Sequence, residues 1–270
     1  MPTHATIGVM FFGWLDERRR RKILEQPFPE EWSAILERRV AHVGYLDDEE
    51  RTQLQQLVQV FVAEKEWEAL GGLEMTDDIR VTISAEACLL ILGLEHSLYR
   101  QVESILVYPK TVVAPPRPAS FFSIATAPPP TGMPVLGQAI HRGPVVLVWD
   151  AVRRDSADAK DGHNVVLHEF AHKLDMLDGS ADGVPPLADD ETYARWVEVF
   201  TREYEAMKRD SDRGRRTWLG DYALTNGAEF FAVATEHFFE RPTQMQRDHS
   251  ALYEVLRDFY RQDPAARRRR

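Results

Sequence analysis

The chain has 270 residues, with 43 Asp or Glu against 33 Lys or Arg, and its formal net charge of −10 excludes nucleic acid as the default partner. Its length fits one large domain or two closely joined lobes, and an apolar content of 44% is enough for a real core. The single cysteine, Cys88, excludes an internal disulfide, so packing or a bound ion must hold the fold, which suits the reducing cytoplasm.

In chain order, the apolar stretch Ile7 to Leu15 is too short to span a membrane. It precedes the basic run Arg18 to Lys22, the reverse of an export signal, so neither a membrane span nor a secretory leader is expected. From Pro27 to about Leu98 the pattern is helical, with Leu54, Leu57, Val58 and Phe61 forming one buried stripe. Arg80 to Leu94 reads as a core helix beginning near Ser84, with Cys88 inside it as a small hydrophobe. Ser104 to Tyr108 reads as a strand, and Pro115 to Pro134, which holds seven of the 16 prolines, as irregular chain.

Pro144 to Trp149 reads as a second strand, either an interior one or an edge that pairs with a peptide backbone. After the turn-rich Asp155 to Gly162, helices are expected at Asn164 to Leu177, Asp190 to Met207, Asn226 to Phe239 and Ser250 to Tyr260. Tyr193, Trp196, Val197, Phe200 and Tyr204 line a stripe on the second of these, and the closing Arg267 to Arg270 reads as a solvated end. Strands in the middle and helices at both ends give an α+β expectation, a small sheet packed on helices. A helical lobe over residues 1–100 and a second lobe over 101–270 are expected to form one compact unit.

The chemistry lies in His168-Glu169-x-x-His172. At about 100° per residue, positions four apart differ by about 40° around a helix and one turn along it, so both imidazoles can reach one ion. Zn²⁺ suits nitrogen ligands, and a catalytic site adds a third protein ligand and leaves a position for water. Glu169, beside the first ligand, is placed to accept that water's proton as it attacks a carbonyl. The flanking residues are nearly all apolar, so the helix is expected to be buried, where unpartnered histidines would be costly.

Two carboxylates compete for the third position. Asp178 lies six residues past His172, a spacing some zinc peptidases use after a glycine turn, but Asp175 stands where that glycine would be. Glu229 sits in an apolar helix where a cation would offset its burial, or else Asn226 and Glu229 form only an N-terminal cap. Asp175 can orient a ligand or a helix neighbour, while His163 and Asn164 read as caps and His237 as a packed histidine.

The segment His168 to Asp175, Asp178-Gly179, Asp182 to Pro186, Asn226 to Val233 and Phe238 to Pro242 together resemble the Mlc titration factor A family of zinc metallopeptidases. Gln26 to Pro29, Ala87 to Leu90 and Ile105 to Pro109 extend the likeness over roughly residues 18 to 262. The resemblance implies a gluzincin-type site, with zinc on His168, His172 and Glu229 and with Tyr222 as donor to the oxyanion. It further implies a zincin-like core similar to the catalytic domain of anthrax lethal factor, aminopeptidase-like activity on short peptides, and binding of a transcriptional repressor. A non-catalytic regulator with structural zinc is the alternative. One departure is Gly227, where the family often has proline; glycine there is expected to loosen the helix entrance.

Overall fold

The computed structural model describes residues 18–110, 137–139 and 143–269; Ile7 to Leu15 and Pro115 to Pro134 lie outside them. Helix α1 covers residues 18–24, followed by α2 (Glu30–Arg39) and α3 (Asp48–Glu64). Asp47 and Glu50 cap α3 reciprocally, each carboxylate accepting from the other residue's main-chain N–H. The expected stripe faces inward, with Leu54, Val58 and Phe61 buried and Leu57 packed at its edge.

Helix α4 (Asp77–Leu90) starts well before Ser84, where the sequence pattern puts its beginning. Its acidic first turn looks like a loop in one dimension. In three, Asp78 accepts hydrogen bonds from Arg38 and Arg39 of α2, which offsets the cost of packing a charged turn. Cys88 is fully buried in α4, as its apolar neighbours require.

The sheet has four strands in the order β1-β2-β4-β3: β1 (Glu66–Ala69), β2 (Ser104–Tyr108) and β4 (Val145–Val148) run parallel, and β3 (Gly137–Ala139) is antiparallel to β4. Ile105 pairs with Val145 and Val107 with Leu147, and all four are buried. The Pro144 to Trp149 stretch is therefore not an edge strand. It ends at Val148, Trp149 opens α5 (Trp149–Asp155), and β4 bonds to strands on both sides. A nearly continuous apolar run is what an interior strand needs, and β3 takes the edge beyond it.

Helix α6 (Val165–Asp175) packs on β3, β4 and α4, and then α7 (Asp190–Asp212), α8 (Gly227–Glu240), α9 (Pro242–Asp248), α10 (Ser250–Tyr260) and α11 (Pro264–Arg267) close the chain. The architecture is α+β, mostly helical with one small sheet. Among the described residues no helix is long and apolar enough to cross a membrane. Phe170 anchors α6 in the core, its ring 5.0 Å from that of Tyr99 and 5.7 Å from that of Phe61, both edge-on. Truncation there leaves a cavity under the helix, so Phe170→Ala is expected to lower stability by about 3–5 kcal/mol in urea unfolding, with an unchanged slope.

Candidate metal centre

Helix α6 is fixed at its start by Asn164, whose side-chain oxygen accepts from the N–H groups of Val166 and Leu167 at 3.1 Å. His163 is exposed and its N–H donates to Asp161, so it plays no part in the cap. From this anchor, His168 and His172 project one turn apart with ring centroids 4.8 Å from each other. Helix α8 lies alongside α6 and starts at Asn226, which accepts from the Glu229 N–H at 2.9 Å. The cap and the site thus use different atoms of Glu229: its N–H belongs to the cap, and its carboxylate turns to the two imidazoles.

The three side chains converge. His168 Nε2 and His172 Nε2 are 3.2 Å apart, and Glu229 Oε2 lies 3.1 Å from the first and 3.5 Å from the second. That carboxylate oxygen is buried, yet it makes no hydrogen bond of normal geometry among the described residues. Two imidazole lone pairs and a carboxylate so close together repel unless a proton or a cation lies between them. The donor set, two nitrogens and one oxygen within 4.8 Å of one another, fits a divalent cation such as Zn²⁺. Asp178 is exposed and accepts from Ser180 N–H in its own turn, so the fold brings Glu229, not Asp178, to the histidines.

Glu169 is buried beside this cluster. Burial pushes its carboxyl above the usual range, while His168 and His172 pull it down. Burial acts on Glu229 in the same sense, but the two imidazoles outweigh it and hold the group well below the ordinary carboxylate value. Tyr222, on the turn Asp221–Leu224, is 48% exposed, with its ring centroid 6.0 Å from that of His168. Burial of its hydroxyl and the nearby Glu229 push the phenol above its usual range, so it keeps its proton and can donate.

One site residue is missed by the sequence reading. Glu236 accepts from His168 Nδ1 at 2.8 Å through Oε1 and from the Asn164 N–H at 2.7 Å through Oε2. It fixes the imidazole's tautomer, so that Nε2 faces the cluster. Its signal was available: Glu236 follows Glu229 by two turns and shares its face of an otherwise apolar helix.

Asp175 does not reach the histidines either. Fully buried and pushed up to about 6 by that burial, it accepts from the Gly183 N–H at 3.0 Å with both oxygens. Trp196 Nε1–H donates to the Gly183 carbonyl at 3.0 Å, which clamps this loop from the other side. The clamped loop runs across the entrance of α8: a Cβ on Gly227 would overlap the Asp182 carbonyl, and one on Gly183, at φ +87°, would overlap Gly227. Glycine at 227 therefore reflects a tight crossing rather than a loosened entrance. His237 is packed beneath Gly162 and edge-on to Trp218, and burial lowers it to about 3, so it is a neutral core residue. Lys173, lowered by burial to about 8, donates to the Gly143 carbonyl at 2.8 Å and ties α6 to the start of β4.

Two imidazoles one turn apart, a carboxylate from a second helix and an acid beside the first imidazole form an arrangement of the metallopeptidase class. The model of the glucose-regulated metallo-peptidase M90 family matches residues 14–261. A protein named Mlc titration factor A from Pectobacterium atrosepticum is 32% identical, over 88% of each chain, and its namesake from Klebsiella pneumoniae is 33% identical over 84% of each. An uncharacterized Synechocystis protein is 35% identical over 93% of this chain and 90% of its own. The chain belongs to this M90 metallopeptidase family, that of Mlc titration factor A.

The crossing of the two loops yields one expectation. Gly227→Ala must displace main chain two residues before Glu229, so a loss of about 1–3 kcal/mol in stability and a weaker zinc affinity are expected, from thermal unfolding and chelator competition. A second follows from charge. Burial alone would lower His168, but Glu229 and Glu236 outweigh it and hold its proton well above the usual imidazole range. Ion binding must expel that proton, so zinc affinity should rise with pH by about tenfold per unit until His168 deprotonates unaided. Titration calorimetry in buffers of different ionisation enthalpy would read the released proton.

Proposed function

We propose that the protein is a zinc-dependent peptidase of the gluzincin type, with His168, His172 and Glu229 holding the ion, Glu169 as general base and Tyr222 as oxyanion donor. The observation that carries this reading is the convergence of three ligand atoms, from α6 and α8, within 4.8 Å. When bound, zinc would polarise the scissile carbonyl and acidify a water molecule.

The chain's own residues supply the rest. The Glu169 carboxylate accepts a proton from the water as its oxygen bonds to the carbonyl carbon, then returns it to the amide nitrogen as the C–N bond breaks. A carboxyl group raised by burial is suited to both transfers. Tyr222 Oη–H donates to the carbonyl oxygen as negative charge grows there. Glu236 keeps the His168 ring turned to the ion through both steps.

A structural ion would be enclosed by four protein ligands. Here three ligand atoms meet among the described residues, with a buried acid alongside, and this favours catalysis. Short peptides cut from the amino end are the substrates that the family likeness implies. The name Mlc titration factor A, carried by relatives, supports a compatible second role in an Mlc-related interaction, and the family likeness implies a transcriptional repressor as that partner. The cytoplasm is the compartment that a single buried cysteine suits. We assign the surroundings of the site to a zincin-like core within residues 101–270, joined through β1 to the preceding helical lobe, residues 1–100.

Metal analysis and peptide cleavage on two variants test the roles. Glu169→Gln should keep one zinc per chain and lose cleavage by about 10²–10⁴-fold, whereas Glu229→Ala should lose the zinc itself. Cleavage that survives in Glu169→Gln would remove the base, and a full zinc complement in Glu229→Ala would move the third ligand elsewhere.

A further inference from the structure

One turn beyond Glu236 on α8 stands Glu240, 2% exposed. Its Oε1 faces His42 Nε2 at 3.7 Å, and His42 Nδ1 faces Glu86 Oε2 of α4 at 3.3 Å. All three side chains are buried, and the chemistry above uses none of them. Both ring nitrogens and all four carboxylate oxygens lack a hydrogen bond of normal geometry among the described residues. Buried polar atoms left this way are costly, and apolar side chains of similar size would pack the same space as well or better. Packing alone does not account for the cluster.

Asn164 is where the cluster meets the metal centre. Its side-chain oxygen caps α6 and its main-chain N–H donates to Glu236, while its buried side-chain NH₂ faces Glu240 without a hydrogen bond of normal geometry among the described residues. Glu236 in turn receives His168 Nδ1–H. We propose that His42, Glu86 and Glu240 form a positioning layer for the metal centre: by setting the place of Asn164 they fix Glu236, which its main-chain N–H holds, and through Glu236 the ring of His168. The consequence for zinc rests on the function proposed above; the effect on the ring does not. Burial and the Glu86 charge push Glu240 up to about 10, so it stands at neutral pH as an uncharged acid, which glutamine can replace.

The test compares Glu240→Gln with Glu240→Met. Three readouts are taken: thermal unfolding, the ¹H–¹⁵N resonances of the His168 ring in the zinc-free chain, and zinc affinity by chelator competition. The glutamine variant should match the parent in all three. The methionine variant should unfold no earlier than the parent, yet shift or broaden the His168 resonances and bind zinc about tenfold more weakly. Should it fail to fold, Glu86→Met at the far end of the cluster takes its place. Parental His168 resonances in a folded methionine variant would overturn the proposal, as would a glutamine variant disturbed as much as the methionine one. A parent chain that takes up no zinc would instead overturn the function proposed above, and the His168 resonances would still decide the role of this layer.

Discussion

The close approach of two imidazole nitrogens and a carboxylate oxygen is the constraint around which the molecule is organised. Without a proton or an ion between them, the three atoms would present lone pairs to one another in a place with little water. The arrangement persists because α6 and α8 lie side by side and each is anchored in the core, α6 by Phe170 against Phe61 and Tyr99, and α8 by Phe230 and Phe231 against Phe200 and Trp196. Core packing thus holds the three donors, with the His168 proton between its ring and the carboxylates, where an ion can use them.

The surroundings add precision by polar contacts to main chain. Asn164 and Asn226 hold the first turns of the two helices, Glu236 bridges them through His168 and the Asn164 N–H, and Asp175 clamps the loop that crosses the start of α8. Every one of these is a carboxylate or amide bonded to an N–H group. Of these groups Glu236 faces His168, and with the Glu229 carboxylate it sets negative charge against the histidines and favours a cation at the centre. Tyr222 differs: its half-exposed ring sits on a short turn that packs on α8 and accepts, at the Leu224 carbonyl, from the Tyr204 hydroxyl of α7. Tyr222, proposed as donor to the growing charge, is thus the most exposed member of the site.

Much of this could be read in one dimension. The spacing of His168 and His172, the apolar flanks of their helix and the cap at Asn164 are local features, and local features survive in sequence because helix geometry is regular. The helices from Asp190 and Ser250 likewise follow from their pattern, although Tyr193 of the expected stripe is exposed and the first of them runs on to Asp212. The start of α4 could not be read, since its acidic turn depends on arginines from α2. Nor could the rank of β4 in the sheet, since a strand's neighbours are set by chain folding and not by its own pattern.

The sequence by itself determined the type of chemistry: a histidine pair one turn apart, an adjacent acid and an acidic chain with one cysteine. Spacing left Glu229 and Asp178 open and the family resemblance pointed to Glu229; the tertiary structure brings the Glu229 carboxylate, not that of Asp178, to the histidines, because a distance across two helices is not a property of either one. It also revealed Glu236 and the reason for Gly227, both of which depend on atoms tens of residues away. Helical periodicity fixes which side chains share a face, while the contact of one face with another is fixed only when the core closes.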